Sequence, residues 1–225
     1  MHTYEVEIKS LLGTQEHADA LRQKMFELDP ATKIVSKNAQ LNHYFEGGNL
    51  DALAESVANR CLSKDKCIQF EDIAKRAKNF SVRTRQKDSG TYFVVKASID
   101  DTTSENGISR IEIDEKVDIP LGALDALILG SGFTYQAKWS REREEYLFRG
   151  ISVCIDKNAG YGWLAEFEKM VTREEDVPSA REELRALMHE LTVPELPQDR
   201  LERMFAFYNA HWEEYYGTDK VFTVA

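Results

Sequence analysis

With 225 residues, 42% of them hydrophobic and 30% charged, the chain can bury a core, and disorder does not describe it as a whole; one large domain, or one domain with a helical appendage, suits its length. A net charge of −10 argues against a general nucleic-acid-binding surface, which needs a basic excess, but leaves room for a local basic pocket. Cys61, Cys67 and Cys154 lack zinc-ligand spacing and read as reduced thiols; with no transmembrane run and no signal peptide in the sequence, the expectation is a cytoplasmic protein without a membrane partner.

Residues 3–12 open on YEVEIK, where Tyr4, Val6 and Ile8 alternate with Glu5, Glu7 and Lys9, the pattern of a strand with one apolar and one charged face. Ala18, Leu21, Met25 and Leu28 then recur at helical spacing until Asp29-Pro30. AQLNHYFE (39–46) reads as a second strand. Leu50, Leu53, Val57 and Cys61 mark a helix and FEDIAKRAK (70–78) a short one, so 50–78 is a helical insertion between strands. From Phe80 short alternating segments follow: SVRTRQ, TYFVVKAS, SRIEIDEKV, KWSREREEYLF, ISVCIDKN and GWLAEFEKM. KDSG (87–90), DDTTSENG (100–107), GSG (130–132), RG (149–150) and NAGYG (158–162) are turn material, and IPLGALDALIL (119–129) is a helix. Antiparallel strands joined by tight turns suggest a barrel or a strongly curved sheet. After residue 172 the pattern is helical; Leu201, Phe205, Tyr208, Trp212 and Tyr215 form a stripe that marks core or dimer packing rather than a ligand site.

The polar faces of these strands carry formal charges of both signs. Glu5, Glu7 and Lys9 share a face, as do Arg83 and Arg85, then Arg110, Glu112 and Asp114, then Arg141 and Arg143, then Glu166 and Glu168; Lys96 ends TYFVV. Taken singly, each strand reads as a solvated face. Taken together, and with Arg-x-Arg occurring twice, they read as the lining of a polar interior, with Val, Ile and Phe packed outward under helices. Such an interior holds water or counter-charge. Arginine forks suit phosphate oxygens, and carboxylates beside a polyanion need a cation between them; oxygen ligands with little His or Cys favour Mg²⁺ or Mn²⁺. A phosphate chain gripped by Arg and Lys, with metal held by Glu, is the layout of phosphoryl-transfer chemistry.

Glu5-x-Glu7-x-Lys9 resembles the ExExK signature of the CYTH proteins, or triphosphate tunnel metalloenzymes. RTR (83–85), Lys96, RIE (110–112), the REREEY strand and Asp156 followed by NAGYGWLAEFE resemble the rest of that family's pattern, in the right order, over about residues 3–170. The resemblance implies an α+β fold: an antiparallel, eight-stranded, closed β-barrel (a tunnel) in residues 1–172 with helices outside, and a C-terminal helical extension in 173–225 packed on the barrel or a partner subunit. It implies that Glu5, Glu7, Glu166 and Glu168 hold the metal, assisted by Asp156 and Glu112, and that Lys9, Arg83, Arg85, Lys96, Arg141 and Arg143 grip the triphosphate. Lys138 would be a seventh cation only if a bulge intervenes, since strict alternation puts it opposite Arg141; Arg110 would contact phosphate or pair with a neighbouring acid. The 50–78 insertion and the aromatic tail depart from many relatives and would cap a tunnel mouth or build a homodimer. The expected activity is metal-dependent hydrolysis of ATP, thiamine triphosphate or tripolyphosphate. A class IV adenylyl cyclase and a non-catalytic triphosphate binder are the alternatives, and the shared clamp does not separate them.

Overall fold

The computed structural model describes residues 4–58, 60, 62–77, 79–98 and 110–224. Its elements are β1 (Tyr4–Gly13), α1 (Gln15–Leu28), β2 (Lys33–Gly47), α2 (Leu50–Ala58), α3 (Lys64–Arg76), β3 (Asn79–Lys87), β4 (Gly90–Ser98), β5 (Arg110–Val117), α4 (Leu121–Gly130), β6 (Phe133–Phe148), β7 (Ile151–Asn158), β8 (Gly162–Val171), α5 (Val177–Glu190) and α6 (Gln198–Tyr215). The strands hydrogen-bond in the order β1-β8-β7-β6-β2-β3-β4-β5. An α+β fold with an eight-stranded antiparallel sheet is therefore present. Among the described residues no ladder joins β1 to β5, so the sheet is not closed by hydrogen bonds and the expected closed barrel is not confirmed. Hydrogen-bonded closure depends on curvature and stagger, which side-chain alternation does not encode. Cys61 and the 100–107 turn lie outside the described residues. Among those described, no helix is long and apolar enough to cross a membrane.

The chain divides into two compact units, one within residues 4–39 and 140–224, the other within 40–98 and 110–139. In the first, the alternation of YEVEIK decides the packing: Val6 and Ile8 are buried in a cluster with Ala18, Leu21 and Met25 of α1, Ala180, Leu184 and Leu187 of α5, and Ile155 and Phe167 of the sheet. Helix α1 buries residues 18, 21 and 25 because they fall on one face, and Thr14 caps it by accepting the His17 N–H. Helix α5 thus belongs to this core. The β6–β7 hairpin turns on Arg149 (φ 48°) and Gly150 (φ 80°), the left-handed pair that a two-residue turn requires.

In the second unit Val82, Phe93, Val95 and Ile113 of the sheet pack with Leu53 and Val57 of α2, Phe70 and Ile73 of α3, and Leu124 and Ile128 of α4. The insertion is thus two helices whose apolar stripes complete this core. Each fully buried Phe, Ile or Leu contributes roughly 1.5–3 kcal/mol relative to its exposed state.

Tyr208 on α6 is fully buried and stacks on Tyr161, while Phe205 of the same stripe remains 38% exposed. Leu201, Trp212 and Tyr215 are half-buried, so Tyr208 alone of the five is in the core. Beyond α6 the chain returns to the β7–β8 turn, where the Phe222 N–H donates to the Gly160 carbonyl and the Gly160 N–H to the Lys220 carbonyl, each at 2.8 Å.

Candidate functional site

In the first unit the ladders set the charged residues opposite one another. Glu7 pairs with Glu168 and Lys9 with Glu166 across β1–β8, Cys154 with Glu166 across β7–β8, and Arg143 with Asp156 across β6–β7. Register partners share a face, so Glu7, Lys9, Glu166, Glu168, Asp156 and Arg143 lie on the side of the strands away from Val6, Ile8 and Phe167. Arg143 grips Asp156 with two parallel bonds, Nε to Oδ1 at 2.7 Å and Nη2 to Oδ2 at 2.6 Å, and also donates to Glu166. Arg141 donates to the same Asp156 Oδ2 at 2.9 Å. Lys9 contacts Glu7 and lies 3.6 Å from Glu166. The face is half-buried rather than solvated: Arg143 is 17% exposed, Glu166 16% and Asp156 1%. Glu5 pairs with Met170 near the start of β1 and is exposed.

Electrostatics follow from this packing. Burial alone would raise the Glu166 carboxyl, but Lys9, then Arg143 and Arg141, hold it down at about 2. Burial opposes the charged form of Arg143, yet its bonds to Asp156 and the nearby Glu166 keep it protonated beyond the ordinary range. Burial pushes the Cys154 thiol up to about 12, so it is an inert part of this face.

In the second unit Arg83 pairs with Tyr44 and Arg85 with Asn42 across β2–β3. Arg83 Nη1 donates to the Tyr44 hydroxyl at 3.0 Å; Arg85 Nε donates to Asn42 Oδ1 at 3.1 Å and Nη1 to Asp114 Oδ2 at 2.9 Å. Arg83 Nε is buried and has no hydrogen-bond partner among the described residues. Lys96 pairs with Glu112 in the β4–β5 ladder, with Arg110 two residues along β5. This face is again opposite the helical core, where Val82, Val95 and Ile113 point.

Lys138 lies where β6 changes phase. Its buried positions are odd at Phe133 and Ala137 and even at Tyr146 and Phe148, so strict alternation does not run through the strand. The Lys138 Nζ sits 4.0 Å from the centre of the Tyr135 ring. Sequence reasoning missed Asn42 and Tyr44, which hold the arginines, and placed Asp114 on a charged face without pairing it with Arg85; the signal for the first two was their register on strands already known to carry charge. His43 is buried and bonded to Asp125 at 2.7 Å, a satisfied structural histidine.

Among the described residues no three His, Cys, Asp or Glu side chains converge as a metal-holding group. Glu7, Asp156 and Glu166 are each engaged by a cationic side chain. Asp156, expected as a metal ligand, accepts one bond from Arg141 and a two-bond fork from Arg143.

The CYTH domain model matches residues 64–200, and the chain belongs to the CYTH domain family. No curated protein sequence matches it. Its fold is similar to that of the PH1819 protein from Pyrococcus horikoshii OT3, at 19% identity and a TM-score of 0.60, over 92% of this chain and 99% of that one. It is also similar to a proposed adenylate cyclase from Vibrio parahaemolyticus (13% identity, TM-score 0.59, 92% and 99% covered) and to a conserved hypothetical protein from Pyrococcus furiosus (16%, 0.57, 87% and 93%).

Proposed function

We propose that the chain is a divalent-metal-dependent hydrolase of a nucleoside, organic or inorganic triphosphate. The observation that carries this reading is Arg83: a half-buried guanidinium, away from the apolar core, whose buried Nε has no acceptor among the described residues. A buried donor left unmade is costly, and a phosphate oxygen is the acceptor its geometry suits. Arg85, Lys96, Lys9, Arg141 and Arg143 are the remaining candidate phosphate ligands, with Arg110 and Lys138 as lesser ones. In the first unit a phosphate oxygen would take the place of Asp156 against Arg143, and in the second that of Asp114 against Arg85; each acid orients its arginine beforehand.

Carboxylate oxygens are the donor type that Mg²⁺ or Mn²⁺ prefers. Glu7 and Glu168 are direct cross-strand partners, a like-charge pair that a cation would relieve. Glu5, Glu7, Glu166 and Glu168 would hold it, and Lys9 sits against Glu7 and 3.6 Å from Glu166. Such an ion supplies charge neutralisation and a water of lowered pKa.

The test is to incubate the protein with tripolyphosphate, ATP and thiamine triphosphate, each with Mg²⁺ or Mn²⁺, and to separate the products. Orthophosphate release is expected. Cyclic AMP with pyrophosphate from ATP would make it a cyclase, and tight binding of tripolyphosphate without turnover would make it a binder.

A further inference from the structure

Helix α4 is apolar throughout except for Asp125, and Asp125 faces inward, 4% exposed. A buried carboxylate persists only where donors satisfy it. Three do: Thr84 Oγ1 donates to Oδ1 at 2.7 Å, the Tyr135 hydroxyl to Oδ2 at 2.8 Å, and His43 Nδ1 to Oδ2 at 2.7 Å. A carboxylate only accepts, so the proton of this last bond is on Nδ1.

Two of the donors are themselves partners. His43 and Thr84 face each other across the β2–β3 ladder, and the rungs on either side are Asn42 with Arg85 and Tyr44 with Arg83. Because side chains alternate, the His43–Thr84 rung points to the helix while both arginine rungs point away. One carboxylate thus holds both strands at the rung between the two arginines. Packing alone does not call for it: Phe45, Val82, Phe93, Leu124 and Ile128 surround this region with apolar contact. A buried polar cluster in an apolar wall is suited to specifying register rather than adding stability, and a slip of one residue would turn Arg83 and Arg85 into the core.

We infer that Asp125 is a positioning residue, which fixes the β2–β3 register from the apolar side and thereby aims Arg83 and Arg85 on the other. Its functional consequence rests on the reading of these arginines as phosphate ligands.

The experiment compares Asp125→Asn with Ile128→Val, a core change on the same helix that leaves the hydrogen bonds intact. The arginine Nε–Hε signals of Arg83 and Arg85 are recorded by NMR and assigned with Arg83→Lys and Arg85→Lys. Inorganic tripolyphosphate is titrated by calorimetry. Asp125→Asn is expected to shift or broaden both arginine signals and weaken tripolyphosphate binding about 10- to 100-fold, the range a misplacement of about 1 Å produces. Thr84→Val, which keeps the shape and removes one bond, should act in the same direction to a smaller degree and serves if Asp125→Asn does not fold. Arginine signals that stay in place in the folded variants overturn the inference, as does an equal shift in Ile128→Val. If the unaltered protein fails to bind tripolyphosphate while Asp125→Asn still displaces the arginine signals, the positioning role stands and the proposed function falls.

Discussion

Glu7 and Glu168 stand directly opposite each other across the β1–β8 ladder, two carboxylates on one face with Lys9 against the first of them. Like charges so placed destabilise a sheet by roughly 0.2–1 kcal/mol. Glu7→Gln should therefore leave the melting temperature unchanged or slightly raised. Triphosphate turnover should fall at least about 100-fold, because the substitution removes a charged donor from the proposed metal site. Calorimetry and a phosphate-release assay on the same preparation check both halves, and full turnover would remove Glu7 from the site.

Arg143 is the hinge of the other cluster, bonded to Asp156 and Glu166 at once. Its loss leaves Asp156, 1% exposed, with Arg141 alone. Arg143→Ala should cost about 3–5 kcal/mol, the scale for breaking a buried ion pair from one side. Arg143→Lys keeps the charge but not the fork and should lose less. Urea unfolding ranks the three proteins.

Two glutamates predict an acid limit. Burial works against the charged form of Glu144, but bonds from Lys37, Tyr146 and Arg22 hold it at about 2, and Glu166 is likewise held at about 2, both below the ordinary 4.5. A carboxyl whose folded value is depressed contributes stability that is complete above its unfolded value and is lost as pH falls through the folded one. Melting temperature should thus be level above about pH 5 and decline between about pH 4.5 and 2. Glu144→Gln should flatten that decline while lowering the neutral-pH plateau, which thermal melts across the range would show.

Gly160 has φ +85°, and a Cβ there would lie 2.7 Å from the Tyr208 ring. Gly160→Ala should cost about 1–3 kcal/mol or more, from strain and displacement of that ring. Hydrogen exchange at the Phe222 amide, which donates to the Gly160 carbonyl, should speed up. An unchanged exchange rate would show that the tail holds without this turn.

The charged faces were legible because period two states directly which residues lie on the same side. Glu7, Lys9, Arg83, Arg85, Arg143 and Glu166 all lie opposite apolar cores. Strand length was less legible. β2 begins at Lys33 rather than 39: its first buried residue is Asn38, and the apolar residues before it, Ile34 and Val35, are adjacent rather than alternating and lie exposed. The phase change in β6 hid the place of Lys138, because alternation can be extrapolated only through an unbroken ladder. The solitary carboxylate of IPLGALDALIL was a readable sign of a buried polar cluster, but its partners are distant in sequence. Alternation carries no signal for whether the sheet closes by hydrogen bonds.

The tail's return to the β7–β8 turn has a practical side. Residues 218–224 brace the loop between the strands that carry Asp156 and Glu166. Local opening there has its own free energy, smaller than that of the whole fold. Any substitution that unseats Phe222 would be felt first at that loop, and through it at the strands on either side.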